Sequence, residues 1–529
     1  MSDHYISAVR RLVLAVAALA APTAPVLVAA PAAALATNVI CVGSPAGPCD
    51  VNAGSISAAI GLADANSVAD TIFVGPGTYN DGPWQLDADD PVTLKGSGQG
   101  STILTVPPGG QQTYLMLNGA QARDLTVQLA TSSFDGDKGI SVYNGGFAQS
   151  VTVQGAGTTN TTGVVMDEAS LADATVLMDP DASPGTRGIY SDGGNMITDT
   201  VVTAGQGYNM SSPGASDLLA RLHLTVSDEA IVIDGGTVNV DDTVIDLGTS
   251  NGTGLAAVNY NAGTSDKIIN ADHVTIVGGG AGSTGALAYA ANPDAKQLSA
   301  VNLSNSIVVG PEKSLVVQAT NNGGVGGNSS ASVNVSHTDW DPESKLVTIG
   351  ANGVGDVVSG AGNVDVAPGF VDAAGGDLRL AATSPLVDAG NPAAGGPTLD
   401  LAKLPRVADG DGNGTAVRDM GAYERAAPPP VPDTTAPQTT ITKKPAKKVT
   451  SKKVKFRFTS DEAGSTFQCQ RDAKAWKPCT SAYRFKVGLG KHVFRVRAVD
   501  AAGNVDATPA RYRFTRIPKP EPSGCTGEC

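Results

Sequence analysis

The stretch GISVYNGGFAQSVTVQG, residues 139–155, sets two β-branched runs on either side of an Asn-Gly-Gly turn. The phrase returns as GVVMDEASLADATVLM (163–178), GIYSDGGNMITDTVVTA (188–204) and AIVIDGGTVNVDDTVIDL (230–247). Aligned on short apolar triplets, the series is centred on Thr126, Thr152, Thr175, Val201, Thr225, Val244, Thr275 and Ile307, with gaps of 26, 23, 26, 24, 19, 31 and 32 residues. Such gaps hold two or three short strands with turns. They are too short for a helix of roughly 12 residues plus a strand and two loops.

A right-handed parallel β-helix suits this spacing. Each coil stacks on the last at ~4.8 Å, inward residues form aliphatic columns, and backbone groups pair with the coil above and below. One coil cannot bury its apolar side alone, which accounts for the repetition. About ten coils make a rod of roughly 50 Å. Composition agrees: 64 glycines in 529 residues, 5% aromatic and 16% charged residues read as an all-β chain with many tight turns.

Arg10 and Arg11 precede an apolar run from Leu12 to Ala21, and Ala34-Leu35-Ala36 offers a small-x-small site. Residues 1–36 therefore read as a secretory signal peptide, leaving no transmembrane span in the mature chain; prolines 22, 25 and 31 argue against an uncleaved anchor helix. The six cysteines form close pairs, Cys41/Cys49, Cys469/Cys479 and Cys525/Cys529. In an exported chain these read as disulfides; zinc would want four ligands at finger-like spacing, and no histidine is near.

Charge is divided. Residues 37–433 carry 14 Lys+Arg against 42 Asp+Glu, net −28; residues 434–517 carry 19 against 5, net +14. In SISAAIGLADA (55–65), Ile56, Ala59, Ile60 and Ala63 recur at helical spacing before the strand Thr71–Val74, so a short helix is expected over the open N-terminal end of the rod.

The order of that helix, DTIFVGPGTY (70–79), VTLKGSGQGSTIL (92–104) and the coils resembles secreted bacterial right-handed β-helix proteins of the pectate-lyase-like superfamily. SPLVDAG (384–390), LPRVADGDGNG (404–414) and DMGAYE (419–424) resemble the choice-of-anchor Q region that closes many such proteins, so residues 37–425 are expected to form the β-helix with its closure at about 360–425. The superfamily holds lyases, hydrolases, adhesins and chains of no known reaction, so the resemblance implies fold more than activity. A Pro-rich linker follows at 426–437 and a tail at 518–529. Between them, at 438–517, the alternating runs KVKFRFTS and HVFRVRAVD, with STFQCQRD and GKHVFRVRAVDAAGNVD, resemble bacterial Ig-like modules; Cys469 and Cys479 match the cysteine pair of those modules. Lys443, Lys444, Lys447, Lys448, Lys452 and Lys453 could grip an anionic polymer, or serve as a solvated edge.

Two sets of residues carry candidate chemistry. Asn144, Asp167, Asp192, Asn209 and Asp234 precede successive turns and are expected to stack on one corner, as turn caps or, for Asp167, Asp192 and Asp234, as catalytic carboxylates, with Asp167 and Asp192 about 5 Å apart on neighbouring coils. In DGDGNGT (409–415), Asp409, Asp411 and Asn413 follow a calcium-loop pattern; Met420 stands where the bidentate Glu belongs, so Asp419 or Asp400 is the substitute if the loop holds a structural Ca²⁺ and is not a plain Gly-Asp turn. The histidine motifs of polygalacturonase-like hydrolases and pectate lyases are missing, and Arg123, Arg187 and Arg221 are isolated. The favoured expectation is a secreted or cell-surface monomer without catalysis. It presents an acidic face for adhesion or glycan binding to a polysaccharide or cell-envelope polymer, with Tyr143, Tyr190 and Tyr208 exposed and no nucleic-acid partner. The alternative is a polysaccharide lyase or glycoside hydrolase, which must bring two carboxylates together in one groove.

Overall fold

The computed structural model describes residues 38–521, apart from 46, 65–68, 88–91, 106–112, 131–135, 156–160, 182–184, 260–264, 292–297, 321–328, 351–352, 394 and 430–431. Residues 1–36, expected to be a signal peptide, and Cys525 and Cys529 lie outside the described residues. No helix among the described residues is long and apolar enough to cross a membrane. The chain divides after Pro428 into two compact units.

The first unit is a right-handed parallel β-helix. An 11-stranded parallel sheet runs coil by coil from Trp84–Leu86 to Leu346–Ile349. Its inward column, Leu115, Ile140, Val164, Ile189, Tyr208, Ile231, Leu255, Ala286 and Leu315, is in register and fully buried. The glycine that opens the phrases at 163 and 188, like Gly207 on the next coil, has a steric cause. A Cβ on Gly163, Gly188 or Gly207 would come within 2.5–2.7 Å of the carbonyl of the next coil.

The remaining ladders meet at a corner where one residue per coil takes the left-handed conformation: Asp124, Ser150, Asp173, Asp199, Arg221, Asp242, His273, Asn305 and His337. Each stands two residues before the register position expected for the repeat centres. The true series is Thr126, Thr152, Thr175, Val201, His223, Val244, Thr275, Ile307 and Asp339. Thr225 was a slip of two residues. Residues i and i+2 point the same way, so LTV at 224–226 satisfies the pattern as well as LHL at 222–224 does.

The helix Ile56–Ala63 forms as expected, with Ile56, Ala59, Ile60 and Ala63 buried and Ser55 Oγ accepting from the Ala58 amide. It packs on the first coil, whose strand Val39–Val42 holds Cys41, bonded to Cys49.

The region at about 360–425 does not cover the far end of the rod. Val364 pairs with the last flank strand, and the chain then folds back along the side. Leu380, Leu386, Val387 and Met420 pack on Ile307, and Leu378 and Ala422 on Val244. Gly421 donates to the Asn305 carbonyl at 2.7 Å, and a Cβ there would strike Thr275 and Ile307. Arg406 is the buried rivet of this clasp: it donates to Asp242 and to the carbonyls of Gly421 and Ala422, and lies 3.6 Å from Glu424. The last coil keeps Leu346, Val347, Ile349, Val354 and Val358 exposed.

Burial raises Glu424 to about 8, Asp242 to about 7 and Asp419 to about 6, with Asp419 adding to the rise of Glu424. A carboxyl raised on folding binds its proton more tightly in the folded state. The stability it gives is complete below the unfolded value near 4 and is lost as pH passes the folded value. The melting temperature of the β-helix is therefore expected to fall between pH 5 and pH 8, measured by circular dichroism across that range.

The second unit packs a three-stranded sheet against a five-stranded one. Its core is Phe456 and Phe458 from one sheet against Phe494, Tyr512 and Phe514 from the other, with Cys469 bonded to Cys479.

Candidate functional site

On the outward face of the β-helix, the strands Thr237–Asp241, Lys267–Asp272, Leu298–Ser304 and Ser329–Ser336 run side by side. Two columns stand on them. Asn239, Asn270, Asn302 and Asn334 are in register, and each amide donates to the oxygen of the previous coil: Asn270 to Asn239 at 3.0 Å, Asn302 to Asn270 at 2.7 Å, Asn334 to Asn302 at 2.7 Å. Two residues on in each strand stand Asp241, Asp272, Ser304 and Ser336. Both columns line one groove of about 390 Å³. Gly396 on the folded-back segment borders Asp272.

The ladder follows from the fold. Identical amides stacked at ~4.8 Å satisfy one another in a row, and Asn270 and Asn302 each keep a second N–H for a ligand. A polymer lying along the rod meets the same side chain at each of these coils.

Asp241 and Asp272 face each other in register on neighbouring coils, which sets their backbones ~4.8 Å apart. Their environments differ. Burial pushes Asp241 up to about 6, and the charge of Asp272 adds to the rise. Burial also acts on Asp272, but His273, Ser304 and Asn305 outweigh it and hold that carboxyl below its ordinary value. Ser304 Oγ and Asn305 Nδ2 each donate to Asp272 Oδ1 at 2.7 Å, and His273 Nδ1 lies 3.1 Å from Oδ2. Two carboxyls driven apart at one place can act as an acid and an ionised partner.

The carboxylates singled out from sequence lie elsewhere. Asp167 and Asp192 follow the paired residues Met166 and Ser191, so they are neighbours, and burial followed by the Asp192 charge raises Asp167. Asp234 follows Ile233, which pairs with Met210, so Ser211 and not an Asx stands between it and Asp192. Burial raises Asp234, and Lys267 opposes it. Asn144 and Asn209 are not in that column. Asn144 donates to Asn118 at 2.6 Å, and Asn209 pairs with Tyr190 and Val232. Tyr208 is not exposed; it belongs to the inward column and its hydroxyl donates to the buried Asp217 at 2.5 Å. Arg221 is paired with Asp199 at 2.8 Å.

In the DGDGNGT loop, Asp409 and Asp411 gather with Asp388, their carboxylates within 4.8 Å of one another. Asp409 Oδ1 is buried without a hydrogen-bond partner. Asp419 is not part of this group, because its two oxygens accept from the Asp388 and Arg425 amides at 2.7 and 2.6 Å.

The groove was overlooked because its asparagines are separated by about one coil and have no glycine beside them. The signal was available as N-V-D-D, N-A-D-H, N-L-S-N and N-V-S-H, each an Asn three residues before the left-handed corner.

A scan against protein-family models matches none, and no curated protein matches. Among solved structures, the chain is similar to the catalytic domain of a GH87 alpha-1,3-glucanase in complex with nigerose, at 13% identity over 63% of this chain and 70% of that one, with a TM-score of 0.35. It is also similar to the Azotobacter vinelandii mannuronan C-5 epimerase AlgE6 A-module, at 16% identity over 58% and 94%, with a TM-score of 0.22. At these identities the likeness is one of fold.

Proposed function

We propose that the chain acts on an extended polysaccharide laid along the asparagine ladder, as a glycoside hydrolase that retains anomeric configuration. The observation that carries this is the facing pair Asp241 and Asp272, one carboxyl raised and one lowered, in a single groove. Asp241 gives its proton to the glycosidic oxygen as the bond to the leaving sugar breaks. The Asp272 carboxylate forms the bond to the anomeric carbon. Water then displaces Asp272, and Asp241 takes back a proton from that water. Side chains side by side on strands ~4.8 Å apart suit the short carboxyl separation of a retaining enzyme better than the roughly 6.5–9.5 Å of an inverting one.

This replaces the expectation of a face without catalysis, for which one observation still speaks: Oδ1 of Asp272 already accepts from Ser304 and Asn305. A panel of neutral and acidic polysaccharides, assayed for binding, reducing ends and unsaturated products, separates the readings. New reducing ends without unsaturated product support hydrolysis; binding with neither product supports adhesion.

The two disulfides support export to an oxidising, extracellular setting. The two-sheet unit supports the Ig-like resemblance, whereas the clasp at 360–425 holds to the side of the β-helix and not, as the anchor-Q-like resemblance implied, over its end. A structural Ca²⁺ held by Asp388, Asp409 and Asp411 suits the unpartnered Asp409 oxygen. Millimolar calcium is then expected to raise the melting temperature by about 2–4 °C over EGTA, a response that Asp411→Ala removes.

A further inference from the structure

The second unit carries a surface that costs stability and has no internal use. Its three-stranded sheet buries Val454, Phe456 and Phe458 and turns Lys453, Lys455 and Arg457 outward. Across the strands, Lys453 stands opposite Lys486, Lys455 opposite Arg484 and Arg457 opposite Lys443. All three cross-strand pairs are like-charged, at the ~4.5–5.5 Å separation where like charges destabilise a sheet. The repulsion shows in Lys455, which Arg484 first, then burial, Arg457 and Lys443, lower from its ordinary value. Among the described residues no carboxylate pairs with any of the six side chains.

Several other cations of this unit have partners within it, although Arg495 also stands opposite Arg511 on the five-stranded sheet. Lys444 and Lys447 sit over the Tyr512 ring, Arg471 over Phe485 and Arg497 over Trp476, while Arg495 and Arg497 bond Gln470 and Gln468. The lysine cluster noted in the sequence therefore splits: Lys443 and Lys453 join the bare face and Lys444 and Lys447 do not.

We infer that this face binds a linear acidic polysaccharide, at a site separate from the groove on the β-helix. Six cations lie on a lattice of ~5 Å across the strands and ~6.8 Å along them, on an open sheet rather than in a pocket. A flat, repeating positive array suits a polymer with an anion on each repeat, not a small ligand. The outward positions on these strands are Lys, Arg and Thr, with no exposed aromatic to stack a base, which disfavours a single-stranded nucleic acid. A chain whose cysteines are oxidised meets glycans outside the cell.

The test is binding of the full chain to polygalacturonate, dextran, polyphosphate and oligo-dT at low and physiological salt, beside the variant K453Q/K455Q/R484Q/K486Q. Polygalacturonate is expected to bind, dextran to fail at this face, and the variant to lose about tenfold or more in affinity, with binding weakened by salt. Removing the repulsion leaves the variant folded, with a melting temperature equal to or above that of the parent. Unchanged affinity in the folded variant would overturn the inference, as would tighter binding to polyphosphate or oligo-dT than to polygalacturonate. Hydrolysis in the groove is read separately, since Asp241 and Asp272 are untouched.

Discussion

Asp272→Asn is expected to lower glycosidic cleavage about 10³-fold while leaving polysaccharide binding within a few-fold of the parent. The asparagine keeps one oxygen for Ser304 and Asn305 and loses the charge that attacks. Asp241→Asn should cause a similar loss on natural linkages. On an aryl glycoside, whose leaving group departs without a proton, the loss should be small. That contrast assigns the acid. Because burial raises Asp241 to about 6, activity should also decline as pH rises past that value, with the acid limb set by the lowered Asp272. Equal losses for both variants on both substrates, with a flat pH profile, would mean the two carboxyls are structural.

The second large effect concerns the clasp. Arg406→Met should destabilise the β-helix unit by about 3–5 kcal/mol, because Asp242 and Glu424 lose their buried cation and the carbonyls of Gly421 and Ala422 lose a donor. Arg406→Lys should recover only part of this, since an ammonium cannot reach Asp242 and both carbonyls with one planar fork. Hydrogen exchange would localise the loss to residues 370–425, and the deficit should shrink at pH 5, where protonated Asp242 and Glu424 need no cation. A variant as stable as the parent at pH 8 would show that the apolar contacts of Leu386 and Met420 alone hold the clasp.

What was readable in the chain divides along a physical line. Patterns that depend on period were readable: the helix Ile56–Ala63, the strand Thr71–Val74 and the stacking of coils all follow from which side chains must be inside. The two disulfides were readable because eight or ten residues separate their cysteines. Register was not, since a period of two cannot tell His223 from Thr225. Tyr208 went to the wrong face by a slip of one residue, since it pairs with Ile189 while Tyr190 pairs with Asn209. The candidate site was the least readable part. Asp241 and Asp272 are 31 residues apart and meet only because the intervening coil has that length. Arg406 reaches Asp242 across 164 residues, a contact set by the folding back of the C-terminal region and foreshadowed by no local signal.

The most direct measurement is proton NMR of the first product released by the parent chain from any polysaccharide that it binds in the groove. A product whose anomeric configuration matches the cleaved linkage is expected from the ~4.8 Å pairing of Asp241 with Asp272. An inverted anomer, or no cleavage of a glycan bound along the asparagines, would contradict it.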